Sequence, residues 1–118
     1  MLYELAFLKA LALTIVLECL TAALLKKYFG GRLKINSVSY IQLLILVALA
    51  SALTLPYAWF ILPAFVKSGI TYILAAEILV TLAEAAFYWF TLKLRISSAI
   101  ILSVAANAFS WFIGNVMF

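Results

Sequence analysis

The chain has 118 residues, of which 69% are hydrophobic and 10% are charged, and its formal net charge is +4. Soluble domains carry about 25% charged and about 45–50% apolar residues, and a small soluble fold could not bury this much apolar surface. The sequence contains no histidine and one cysteine, Cys19. These counts exclude an internal disulfide, a Cys/His metal site and Ser–His or Cys–His catalysis. We therefore predict an integral protein of the lipid bilayer that uses no cofactor.

Four hydrophobic runs are long enough to cross a membrane, which takes about 20 mainly apolar residues. They occupy residues 5–25, 38–62, 70–92 and 96–117. Lys26 and Lys27, with Gly30 and Gly31, end the first run. The connections are too short to form a domain outside lipid. The sequence therefore predicts a single all-α domain, an integral membrane four-helix bundle.

Pro56 lies inside the second hydrophobic run. Proline removes a backbone hydrogen bond and bends a helix, so we predict that the second helix is kinked at Pro56. Two interpretations stay open. The kink improves packing, since prolines are tolerated in membrane helices, or it breaks the helix and exposes backbone carbonyls to a cavity.

The basic residues predict how the chain lies in the membrane. Lys9 and Lys67 fall on one side, and the other six basic residues fall on the opposite side, at Lys26, Lys27, Arg32, Lys34, Lys93 and Arg95. The positive-inside rule places the first and third connections in the cytoplasm. We expect a multi-pass protein of the cell (inner or plasma) membrane with both termini outside. Because the basic residues flank hydrophobic runs, they do not indicate a nucleic-acid partner.

Four polar residues lie at depths where polar groups are expensive: Glu18 in the first run, Glu77 and Glu84 in the third, and Asn107 in the fourth. A charged group at the bilayer centre costs at least about 2.5–3.5 kcal/mol on insertion scales. No basic residue lies at the same depth to neutralise the glutamates. A buried carboxylate without a counter-charge takes up a proton or binds a cation. We therefore predict a proton- or cation-binding site at these four residues, and leave open whether a metal ion binds there.

Other polar residues follow the same helical spacing. On the third helix the stripe comprises Glu77, Thr81, Glu84 and Tyr88, and the remaining helices contribute Thr14 and Thr21, Ser51 and Thr54, Ser103, Ser110 and Gly114. Residues three or four apart share a helix face, so each helix has one polar or small face that we expect to point into the bundle. Thr21, Thr54, Thr81 and Ser110 are the predicted supporting residues. The small residues also suit close helix packing alone, and Asn107 could simply join helices by hydrogen bonding.

The depths of these residues can be estimated from a rise of about 1.5 Å per residue. Glu18, Glu84 and Asn107 fall near one level, whereas Glu77 and Thr54 fall nearer the outer face. The sequence therefore predicts a central polar site with a vestibule that leans outward.

Two resemblances bear on this interpretation. The first hydrophobic run carries one glutamate at mid-depth and is followed by lysine, in the stretch Glu18-Cys19-Leu20-Thr21 through Lys26. With the chain length and four predicted helices, this stretch resembles the small multidrug resistance exporters. In that family the first-helix glutamate binds the proton or the cationic substrate in turn, so the resemblance implies that role for Glu18. The third helix departs from the family, which has a Gly- and Trp-rich helix there.

The second resemblance covers the later helices. It rests on Thr54-Leu55-Pro56, on Glu77-Ile78-Leu79-Val80 with Glu84, and on Ser103 through Asn107, Ser110 and Gly114. This pattern resembles uncharacterised four-helix membrane proteins of prokaryotes. It implies a shared fold and a shared polar core, and no particular activity.

Three alternative functions are compatible with these residues. The first is a transporter or ion-conducting protein that uses the buried carboxylates, expected to be a homo-oligomer because four helices enclose a narrow interior. The second is a structural or assembly subunit whose carboxylates meet other membrane subunits. The third is an enzyme acting on lipid, with Glu77 and Glu84 as acid and base or as ligands of a divalent metal. Without histidine, a nucleophile motif or a large loop, we predict that the protein is not an enzyme.

Overall fold

The computed structural model describes residues 2–67 and 69–117, with side chains for residues 2–67 and 69–113. Within these residues the chain is all-helical and forms four long α-helices without a strand. They are α1 (Leu2–Leu33), α2 (Tyr40–Pro56), α3 (Gly69–Thr91) and α4 (Ile96–Met117). The all-α prediction of four helices is confirmed.

Each described helix is long and apolar enough to cross a membrane, when the second is taken through to Ala64. Large hydrophobic side chains cover the outside of the bundle. Phe65, Phe90 and Ile41 are 79%, 78% and 74% exposed. Soluble proteins rarely expose a large contiguous apolar surface. These helices therefore fit a multi-pass membrane protein.

The helix α1 extends beyond the predicted hydrophobic run and continues through Gly30 and Gly31 to Leu33. It ends because Lys34 adopts a left-handed backbone with φ 62° and Ile35 N–H donates to Gly30 O at 2.8 Å. This is the Schellman arrangement, which satisfies a carbonyl at the helix end. Lys26 and Lys27 thus lie within a helix, although they follow the hydrophobic run.

The winding of the second helix changes at Pro56. Regular α-helix ends there, residues Tyr57–Ile61 form a π-helical turn, and Leu62–Ala64 form a 3₁₀ turn. Proline lacks the N–H that would continue the ladder, and its ring clashes with the carbonyl four residues earlier. The tighter and wider turns that follow keep the chain helical up to residue 64.

The helices pack as a square in which α1 lies between α2 and α4, and α3 also lies between α4 and α2. The connections at residues 34–39 and 92–95 share one end of the bundle, named here the basic end. Ser98 Oγ and Arg95 Nη2 donate to the carbonyls of Leu33 and Arg32 and join these connections. A hydrophobic core with Ile35, Leu43 and other buried residues fills this end. The opposite end, at residues 57–67, is named the cavity end.

Candidate functional site

Glu18 lies near the middle of α1 with its side chain fully buried. Ser51 Oγ, from α2, donates to Glu18 Oε1 at 2.9 Å. Ser110 Oγ, from α4, lies 3.5 Å from Glu18 Oε2. Each carboxyl oxygen therefore faces a hydroxyl from a different neighbouring helix.

Glu84 lies on α3, diagonally across the bundle, and is 1% exposed. Asn107 Nδ2 donates to Glu84 Oε1 at 2.8 Å, and Thr54 Oγ1 lies 2.9 Å from Glu84 Oε2. The Asn107 amide is fixed by a second bond, from Nδ2 to Ser103 O at 2.9 Å. Glu84 is thus held by α2 and α4, as Glu18 is.

The two carboxyl groups lie near each other, because their partners are three residues apart on α2 and three residues apart on α4. With their partners they form a closed set of side chains, named here the polar ring: Glu18, Ser51, Thr54, Glu84, Asn107 and Ser110. Each donor pair has a spacing of three residues on one helix, which puts both members on the same face. Among the described residues these donors are all neutral, so the ring holds two acidic groups without a basic counter-charge.

Two hydroxyls of the ring each lie near two possible acceptors but have only one hydrogen to donate. Thr54 Oγ1 lies 2.8 Å from Ala50 O as well as 2.9 Å from Glu84. Ser110 Oγ lies 3.1 Å from Asn107 O as well as near Glu18. A hydroxyl carries one hydrogen but can also accept. When it donates to the backbone carbonyl, it is free to accept a hydrogen from a protonated carboxyl. By turning these hydroxyls, the ring can bind a carboxyl in either its protonated or its ionised form.

A cavity of about 460 Å³ reaches the polar ring from the cavity end. Glu18, Asn107 and Ser110 line its floor, and Glu77 lines its wall. Four aromatic residues also line it, namely Tyr3, Trp59, Tyr72 and Trp111. The cavity therefore extends from the aromatic residues of the cavity end to Glu18, whereas Glu84 is not among its lining residues.

The π-helical turn shapes the mouth of this cavity. Its carbonyls are used by tyrosines of other helices: Tyr3 Oη donates to Trp59 O, and Tyr72 Oη donates to Ala58 O. The segment after Pro56 therefore offers backbone carbonyls at the cavity, where α1 and α3 bind them.

The structure places the predicted residues in three groups: the polar ring, the cavity wall, and positions outside both. Glu18, Glu84, Asn107, Thr54 and Ser110 meet in the polar ring. Thr54, estimated to lie nearer the outer face, contacts Glu84 directly. Glu77 lies in the cavity wall outside the ring and is close enough to Glu84 for their charges to interact.

The other predicted residues lie outside the ring. Thr21 donates to Leu17 O of its own helix at 2.8 Å, and Thr81 contributes a backbone carbonyl that accepts from Ser103 Oγ at 2.7 Å. Cys19 Sγ lies 3.6 Å from Leu44 O, as a packing residue would. Gly114 lies outside the residues whose side chains are described.

Two members of the site were not among the predicted site residues. Ser51 completes the donor pair on α2, and its spacing of three residues from Thr54 is the signal that identifies it. Tyr88 is fully buried one helical turn from Glu84. Its position on the same stripe as Glu84 is the signal that identifies it in the sequence. In the described part of the chain, no group of three or more His, Cys, Asp or Glu residues could hold a metal ion.

A scan against models of known protein families found no match, and neither did searches of curated proteins and of solved structures. The resemblances to small multidrug resistance exporters and to uncharacterised four-helix proteins therefore stay predictions, and the function has to be argued from the site.

Proposed function

We propose that this protein is a membrane transporter or ion-conducting protein that binds protons or cations at Glu18 and Glu84. The observation that carries the proposal is the pairing of two buried carboxyl groups in a ring of neutral donors. An intramembrane ionisable group without a partner of opposite charge is by default a functional group. Two nearby buried carboxyl groups repel each other when both are charged, so one of them favours holding a proton, and the ring has a place for an exchangeable ion.

The shape of the bundle supports access from one side at a time. The cavity end is open to the ring, whereas buried apolar residues fill the basic end. We propose that Pro56 and the π-helical turn after it kink the second helix here, since such sites bend helices. A bend at this position would let the segment at residues 57–64 move relative to α2 and change the width of the cavity.

The proposal is tested with purified protein in liposomes that contain a pH-sensitive dye. A membrane potential is applied in one arm, and an inward or outward sodium gradient in the other. We expect the internal pH to change faster than in protein-free liposomes in at least one arm, because the carboxyl pair can carry a proton in either mode. Equal rates with and without protein in both arms would contradict the proposed function.

We also propose that the basic end faces the cytoplasm of the cell membrane and the cavity end faces outward. This orientation is supported by six basic residues at the basic end, which the positive-inside rule places in the cytoplasm. The test replaces Cys19 with alanine and then introduces Lys67→Cys or Ser37→Cys, both at exposed positions. An impermeant maleimide should label K67C on intact cells and S37C only after permeabilisation. The opposite labelling pattern would show that the protein has the reverse orientation.

A further inference from the structure

Tyr88 carries a buried hydroxyl that the polar ring does not use. It lies on α3 one turn from Glu84 towards the basic end, and its side chain is 0% exposed. Its Oη makes no hydrogen bond to any of the described residues. Buried hydroxyls in native proteins almost always have a partner. An unpaired one beside a polar site points to a bound ion or molecule.

Tyr88 follows Glu84 by four residues on α3, so both side chains lie on the same face of the helix. Both are buried in the bundle, at 0% and 1% exposed. The cavity reaches Glu18 of the pair from the cavity end. An ion that entered through the cavity would therefore meet carboxyl oxygens first and the Tyr88 oxygen behind them.

We propose that Glu18, Glu84 and Tyr88 Oη bind one monovalent metal cation, of the Na⁺ or Li⁺ kind, in exchange for one proton of the carboxyl pair. This inference rests on the proposed function and names the ligand class of the same site. The cation bonds to the carboxyl oxygens and the phenol oxygen, and the proton leaves a carboxyl oxygen for water in the cavity. One positive charge enters and one leaves.

The donor set favours a monovalent cation. Carboxylate, hydroxyl and amide oxygens are hard ligands, which suit hard cations rather than soft metals. Calcium takes 6–8 oxygen ligands, often including carboxylates, and magnesium usually keeps several of its waters. The site offers two carboxyls and a few neutral oxygens in a bundle interior with apolar walls. Exchange of H⁺ for a monovalent ion also leaves the buried charge unchanged, which avoids the cost of burying an additional charge.

The test measures thermal unfolding of the purified protein in detergent with NaCl, LiCl, KCl or choline chloride at equal ionic strength. We expect at least one metal cation to raise Tm above choline, and to release a proton in weakly buffered solution. Tyr88→Phe should weaken the apparent affinity about tenfold, the effect of one hydrogen-bond-sized contact to a charged group. It should leave Tm in choline equal or higher, because an unpaired buried hydroxyl has been removed.

The matched control is Tyr57→Phe, which removes a hydroxyl from a side chain that is 62% exposed. It should leave the cation-dependent Tm shift unchanged. The variant Glu18→Gln/Glu84→Gln should lose that shift altogether. If no metal cation raises Tm above its value in choline chloride while the protein still conducts protons in liposomes, the proposed cation site is wrong. The proposed function is then not contradicted. If Y88F and Y57F change the affinity equally, Tyr88 is not a ligand.

Discussion

Replacing Glu18 or Glu84 with glutamine is expected to lower the dye-reported proton flux to the level of protein-free liposomes. Glutamine keeps the shape of glutamate but has no exchangeable carboxyl proton at any pH near neutrality. Because the two carboxyl groups bind the same stretches of α2 and α4, losing either one removes the pair that we propose shares an ion. Flux is measured in both the potential-driven and the sodium-driven arm.

The glutamine variants should fold, because the ring can absorb the added N–H groups. In Glu84→Gln the new amide oxygen still accepts from Asn107 Nδ2, and the new Nε2 faces Thr54 Oγ1, which accepts while it donates to Ala50 O. A similar exchange is open to Glu18→Gln through the hydroxyls of Ser51 and Ser110. Unchanged Tm with lost flux would separate function from folding.

Variants of two further acidic residues serve as comparisons for this result. Glu4→Gln alters an exposed carboxyl that does not line the cavity, so flux should stay at the wild-type value. Glu77→Gln alters a carboxyl of the cavity wall and should reduce flux only in part. Wild-type flux in both E18Q and E84Q would show that the polar ring is structural, as expected of an assembly subunit.

Asn107→Asp is expected to destabilise the folded bundle by about 1–3 kcal/mol, the usual cost of leaving a buried polar group without its hydrogen bond. Asn107 is 5% exposed, and its Nδ2 donates to Glu84 at 2.8 Å. In the variant the Nδ2 hydrogens are lost, so a bond between the aspartate and Glu84 forms only when one of the two carboxyl groups takes up a proton. Thermal unfolding in detergent, monitored by circular dichroism, measures this loss of stability.

Two variants show whether that loss comes from the contact with Glu84. Glu84→Gln/Asn107→Asp exchanges donor and acceptor, since the new amide at position 84 can donate to the new carboxylate. We expect the double variant to recover most of the stability that N107D loses. Asn36→Asp makes the same chemical change at an exposed position and should leave Tm nearly unchanged. A double variant as unstable as N107D would show that the Glu84–Asn107 contact is not the cause.

Much of the polar ring could be predicted from the sequence because lipid restricts where polar groups lie. Glu18, Glu84 and Asn107 had to point inward, since a carboxyl or amide facing hydrocarbon has no partner. The constant rise of a helix then placed them near one level. The structure brings these three residues together through hydrogen bonds from α2 and α4.

The details of the contacts depend on information that helical spacing does not contain. The depth count did not indicate the contact between Thr54 and Glu84, because it contains no information on how far a side chain reaches towards a neighbouring helix. Thr21 shares a face with Glu18, but its hydroxyl binds the carbonyl of Leu17 instead, a local alternative open to any threonine in a helix. The unpaired hydroxyl of Tyr88 depends on all its neighbours and was not visible in the spacing.

The distances along the chain between ring members bear on how the protein is synthesised. Ser51 follows Glu18 by 33 residues, whereas Ser110 follows it by 92. At about 5–20 residues per second, Glu18 would wait roughly 5–20 s for its second donor. Until α4 leaves the ribosome, both carboxyl groups lack the partner that α4 supplies. We therefore expect α4 to complete the interior of the bundle, and a chain cut before α4 to unfold at a lower temperature in detergent than one that includes it.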